Sequence, residues 1–234
     1  HLAANGYHET TTSCLFRHKT RNITFTLIVD DFGVMFTEQA DADHLQSVLS
    51  AKYEVHLDWS GNRFLGIDLE WDYDIRSMTM SMAGFIQKAL ERYGYDFSKP
   101  KRHSPGGYVR PEYGAKQQLV NDDDTPPLGL KDVRLVQSIT GTFLWYCRVL
   151  DLTGLVSLGQ ISSQVSIATE RTLAQATDLL QYFATYPNAS ITYHASDMML
   201  FLHSDGSYLS EPKAGSRLGV IEYLGSEGDE DKPP

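Results

Sequence analysis

Residues 24–37 read TFTLIVDDFGVMFT. Phe25, Leu27 and Val29 alternate with Thr24, Thr26 and Ile28, the period-two pattern of a strand with one buried face. Val34, Met35 and Phe36 resume the pattern after Gly33. Only Asp30, Asp31 and their immediate neighbours remain for a turn, so a short hairpin fits. Aspartate is common in turns, and a solvated tip is the ordinary reading of such a doublet. Tight hairpins, however, favour Asn-Gly or Asp-Gly, because the central residues need positive φ. Two neighbouring carboxylates also repel unless a cation lies between or beside them, and hard oxygen ligands suit Mg²⁺ or Mn²⁺. The apolar flanks set this pair at the edge of a core.

Working outward, DADHLQSVLSAKY carries Leu45, Val48, Leu49 and Tyr53 at helical spacing, with Asp41 or Asp43 near the start as a capping carboxylate. YEVHLDW reads as a short strand. In FLGIDLEW, Leu65, Ile67, Leu69 and Trp71 face one way and Gly66, Asp68 and Glu70 the other. DYDIR then turns the chain into SMTMSM, giving a second hairpin. AGFIQKALERYG is a helix with Phe85, Ile86, Ala89, Leu90 and Tyr93 inward and Gly94 as its stop.

Residues 95–130 break the periodicity with five prolines, a long connector. Within it, the DDD of Asp122–Asp124 reads as a solvated loop. Three helical stretches follow, the last beginning at a cap, Thr169, and ending before Pro187. ITYHAS and MMLFLHSDGSYL read as strands, and the acidic end GSEGDEDKPP as a disordered tail. The order of elements implies an α+β fold: antiparallel hairpins with packed helices, then a mainly helical region, then the start of a third element.

The 234 residues suffice for one or two domains. A net charge of −10 argues against a nucleic-acid surface covering the whole chain. Locally the balance differs. Lys88, Arg92, Lys99, Lys101, Arg102, Arg110 and Lys116 stand against Glu91, Asp96 and Glu112, with tyrosines interleaved. Such a stretch can grip a phosphate backbone and stack bases, or can be a solvated linker. Cys14 and Cys147 form neither a disulfide framework nor a zinc motif, which favours a reducing, intracellular setting. No run of residues is long and apolar enough to span a bilayer. The first residue is His1, which suggests a processed product or a piece of something longer.

IVDDF resembles the YVDD-type motif of reverse transcriptases, with Ile28 at the aromatic position. CLFRHKTRNITFTLIVDDFGV is similar to the copia-type retrotransposon version. FLGIDLEWDY with SMAGFIQKALERYG resembles the segment after that motif. DDTPPL, VQSITGTFLWYCRVLDLTGLVSLGQISSQ and TERTLAQATDLLQYFATYP resemble the copia-type connector. HSDGSYLSEPKAGSRLG resembles the opening strand of the family's ribonuclease H domain. The likeness spans residues 7–219, in the family's order.

The resemblance implies a segment of a polyprotein. Residues 1–97 would be the C-terminal part of the polymerase palm and its following helix, 98–130 a connector, and 131–190 a helical thumb and connection region. Residues 191–224 would begin an incomplete ribonuclease H-like domain, before an acidic tail at 225–234. Asp30 would be a ligand of Mg²⁺ or Mn²⁺, Asp31 its neighbour, and Asp205 the first carboxylate of the nuclease site. Lys88, Lys99, Lys101, Arg102 and Arg110 would lie near the template–primer duplex. The parent reaction would be RNA-directed DNA synthesis from dNTPs by two-metal nucleotidyl transfer, in a cytoplasmic virus-like particle or the nucleus.

A further palm aspartate and the fingers would precede residue 1, and Glu222 does not stand in for the missing nuclease acids. The expectation is that this chain alone synthesises nothing. A repurposed remnant that binds nucleic acid or protein, and an unrelated metal-dependent phosphotransfer domain, are the alternatives. His203, two residues before Asp205, could share its face, though the plainer expectation is a strand residue with a hydrogen-bond partner.

Overall fold

The computed structural model describes residues 1–107, 123–208 and 215–228. The chain divides into two compact units, His1–Leu69 and Glu70–Pro234.

The first unit is built on an antiparallel sheet in sequence order: β1 (Tyr7–Glu9), β2 (Leu15–His18), β3 (Ile23–Ile28) and β4 (Asp31–Phe36). The inward residues Ile23 and Phe25 of β3 meet Leu45, Val48 and Leu49 of helix α1 (Gln39–Ser50), with Tyr7 completing a buried cluster. Phe25 stacks on its cross-strand partner Phe16 at 5.2 Å and touches Phe32 at 5.3 Å. Cross-strand aromatic pairs of this kind stabilise a sheet beyond their burial.

Asp41 does not cap α1. Its Oδ1 accepts from Arg21 Nη1 at 2.9 Å and its Oδ2 from the Asn22 backbone N–H at 3.2 Å, tying the helix to the β2–β3 turn. Tyr53, expected on the inner face, is exposed, since the helix ends at Ser50.

No strand forms over YEVHLDW. Asp58 instead folds the chain around its own carboxylate, which accepts the backbone N–H groups of Ser60, Gly61, Asn62 and Arg63. A side chain that satisfies four backbone donors competes with a sheet ladder. These bonds, with the Ser60 hydroxyl foremost, hold the Asp58 carboxyl below its usual range. The strand comes later, as β5 (Arg63–Phe64), and pairs through a two-residue turn with β6 (Ile67–Asp72). Leu65 and Gly66 form that turn with φ of 53° and 79°. The alternation read from Leu65 therefore starts two residues later, because the turn type needs both central residues in the left-handed region.

In the second unit, β7 (Ser77–Ser81) lies beside β6 and pairs on its other side with β8 (Ser190–His194), across Thr79↔Thr192. The sequence carries no local cue for a pairing between segments so far apart. Helix α2 (Phe85–Arg92) buries Ile86, Ala89 and Leu90 and stops at Gly94, whose φ is +63°. Helices α3 (Leu130–Val149), α4 (Leu155–Gln164) and α5 (Glu170–Thr185) form the main body. Phe143 and Phe183 stack at 4.6 Å between α3 and α5, and Tyr146 packs edge-on against Phe183. A Cβ on Gly154 would lie 2.7 Å from Cys147 Sγ and 2.8 Å from the Phe183 ring, so only glycine fits there. Burial pushes the Cys147 thiol up to about 12.

Thr169 caps α5 through a box with Thr172. Asp123 is not an idle loop acid. It accepts from Thr125 and Thr169 and pairs with Arg171 at 3.4 Å, clasping the start of α5. Those hydroxyl bonds lower its carboxyl from the usual range. Finally, β9 (Met199–Gly206) and β10 (Leu218–Gly225) form a two-stranded antiparallel ribbon in full register.

Candidate functional site

The register of β3 with β4 ends at Ile28↔Asp31. The turn is therefore Val29–Asp30, which takes in the first of the two aspartates. Asp30 occupies the tip, and Asp31 is the first residue of β4; both are exposed. Val29 has a φ of 60° and is 92% exposed. A β-branched residue in that region is strained, and its side chain has almost nothing to pack on. Strain of this kind collects at functional positions. No sequence rule marks Val29, because valine in an apolar alternation reads as strand.

Gly33 makes the hairpin compatible with its neighbour. A Cβ there would sit 2.8 Å from Thr26 Oγ1 and 3.0 Å from the Phe64 ring, on the face opposite the aromatic core. Thus one face of the β3–β4 ribbon rests on α1 and the other is approached closely by Phe64.

The donor set at the tip is two hard carboxylates, which suits Mg²⁺ or Mn²⁺. Among the described residues no three His, Cys, Asp or Glu side chains gather to hold a metal ion.

Asp205 lies on β9 opposite Gly219, exposed, with Oδ1 accepting the N–H of Gly206 at 2.9 Å. His203, two residues earlier, bonds the Tyr223 hydroxyl at 3.0 Å and stacks on that ring.

The basic stretch is not uniform. Lys88 on α2 and Lys101 are exposed. Lys99 Nζ lies 5.8 Å from the centre of the Tyr95 ring, a cation–π distance. Arg102 is committed elsewhere. Its guanidinium pairs with Asp178 of α5 at 3.0 Å, and its N–H bonds Thr185 Oγ1 at 2.9 Å. Gln181 Nε2 donates to the Pro100 carbonyl, so residues 100–102 are strapped along α5. Arg110 lies outside the described residues. Among the described residues, no helix is long and apolar enough to cross a membrane.

No protein-family model matches the chain, and no solved structure matches it.

Proposed function

We propose that this chain is part of an RNA-directed DNA polymerase of the copia type. Its β3–β4 tip would present Asp30 and Asp31 to divalent cations, and its basic connector would face the nucleic acid. One observation carries the reading: a two-residue turn sets Asp30 at the tip and Asp31 beside it, both exposed, on a sheet whose inner face is locked by a buried aromatic cluster. A stiff support under paired carboxylates is what nucleotidyl transfer demands, because that chemistry rests on positioning and charge stabilisation. When bound, Mg²⁺ would supply that charge stabilisation at the transferring phosphate. The strained Val29 adds support, since the bend is held at a cost the local sequence does not require.

Within this reading Asp205 would be a nuclease carboxylate, and Lys88, Lys99 and Lys101 would contact phosphates. Arg102 would serve α5 instead, and its replacement should lower stability more than binding. Two carboxylates do not complete a two-metal site, so the chain by itself should extend no primer.

Mn²⁺ titration followed by NMR tests the tip directly. We expect paramagnetic broadening centred on residues 28–32, with affinity on the order of millimolar, abolished in Asp30→Asn. Broadening spread evenly over the surface acids would overturn the proposal. Primer extension by the isolated chain would overturn the expectation of inactivity.

A further inference from the structure

Within the second unit, a cavity of ≈160 Å³ opens where α2 ends beside α3 and α5. It exists because α2 stops at Gly94 and the chain doubles back, with the Tyr95 N–H bonding the Leu90 carbonyl. Ile139, Leu173 and Leu180 form apolar walls, and Tyr95, Asp96 and Lys99 also line it. A half-open pocket of this volume has room for one flat aromatic group.

Three features say what kind of ring. Asp96 Oδ1 is engaged by the Ser98 N–H at 2.9 Å and hydroxyl at 2.7 Å, while Oδ2 has no partner among the described residues. An ionised carboxylate accepts only, so it suits an edge bearing N–H donors, and guanine presents two adjacent ones on its pairing edge. Lys99 lines the same pocket, Lys101 follows two residues later in the chain, and over residues 88–101 four cations stand against two acids in a chain of net charge −10. An aromatic side chain of a peptide would fill the walls but bring no anion to the lysines.

We propose that this cavity seats one unstacked nucleobase of a single-stranded nucleic acid, donor edge at Asp96 and backbone phosphates along Lys99 and Lys101. The inference rests on the reading of the chain as a nucleic-acid-binding protein, and goes beyond it in naming a seat for one base.

Fluorescence anisotropy with the full chain at low salt tests it, using two labelled strands with identical phosphates. One is a wholly abasic backbone; the other carries a single guanine. The guanine strand should bind roughly tenfold more tightly, the effect of one stacked base. Thr177→Phe, which fills the cavity from α5, should erase that gain and leave the abasic strand unaffected. Asp96→Asn, at an exposed position, should weaken the guanine strand alone, and it carries the test if Thr177→Phe fails to fold. Equal binding of both strands, unchanged by either substitution, overturns the base seat while the broader reading stands. No binding of either strand overturns both. If N-acetyl-tryptophanamide occupies the cavity and guanine gives no gain, the occupant is an aromatic side chain and the nucleobase assignment falls.

Discussion

Two hairpins in this chain carry aspartates that the sequence marks for metal chemistry, and they are supported very differently. The β3–β4 ribbon is one half of a four-stranded sheet whose inner side chains lock against α1. The β9–β10 ribbon is a two-stranded sheet that buries Tyr223 against Phe201 and His203 and leaves Leu200, Leu202, Leu218, Val220 and Leu224 exposed. An isolated two-stranded ribbon is marginal in water. Backbone pairing, complete in β9–β10, stiffens a hairpin less than a packed layer of side chains beneath it does. The tip that carries Asp30 rests on a larger packed layer than the strand that carries Asp205.

The contrast is broken most severely from inside the core. Phe25→Ala should destabilise the first unit by about 3–5 kcal/mol, whereas Leu202→Ala on β9 should change stability by less than about 0.5 kcal/mol. Urea denaturation followed by circular dichroism reads both, and similar losses would mean that the ribbon has packing partners of its own. Next in size is Asp41→Ala, which leaves Arg21 and the Asn22 N–H without their acceptor. A cost of about 1–3 kcal/mol is expected by the same measurement.

At the tip the sign reverses. Val29→Gly relieves a left-handed penalty of ~1–2 kcal/mol, less the extra entropy of glycine in the unfolded chain. The net is a gain of up to about 1 kcal/mol, seen as a higher melting temperature. A loss there would show that the valine side chain has a folded-state partner.

The smallest effect is a pH dependence of the first unit. Burial first, then the Arg21 and His18 charges, depress the His44 imidazole below its ordinary 6.5. The folded state therefore binds this proton more weakly than the unfolded chain does. Its contribution is intact above pH 6.5 and falls as the pH drops from there toward the depressed folded value. His44→Gln should flatten that slope in melts taken between pH 7 and pH 5.

What could be read in advance follows from where the information lies. α2 and α5 announce themselves locally, through the inward spacing of Ile86, Ala89 and Leu90, the stop at Gly94 and the cap at Thr169. The hairpin around the acidic pair was legible for the same reason. Its bend falls at Val29–Asp30, within the span left for it, although valine is a strand former and gives no sign of a turn. Asp41, Asp58 and Asp123 look like generic surface acids, and each turns out to organise backbone or a neighbouring side chain. Such roles depend on which donors the fold brings near, and composition does not encode that. The pairing of β7 with β8 was hidden for a related reason, since it joins segments more than a hundred residues apart in the chain. Of the cationic stretch, the sequence shows the charges but not that Arg102 is already spoken for by Asp178.

The two cysteines divide the molecule into an open address and a sealed one. Cys14 is exposed on the β1–β2 loop, while Cys147 is wedged against Gly154 and Phe183. A thiol-reactive dye should consequently mark intact molecules once. A second mark would be taken up only as the α3–α5 body comes apart, so the dye count per molecule is an internal gauge of how far that body has opened.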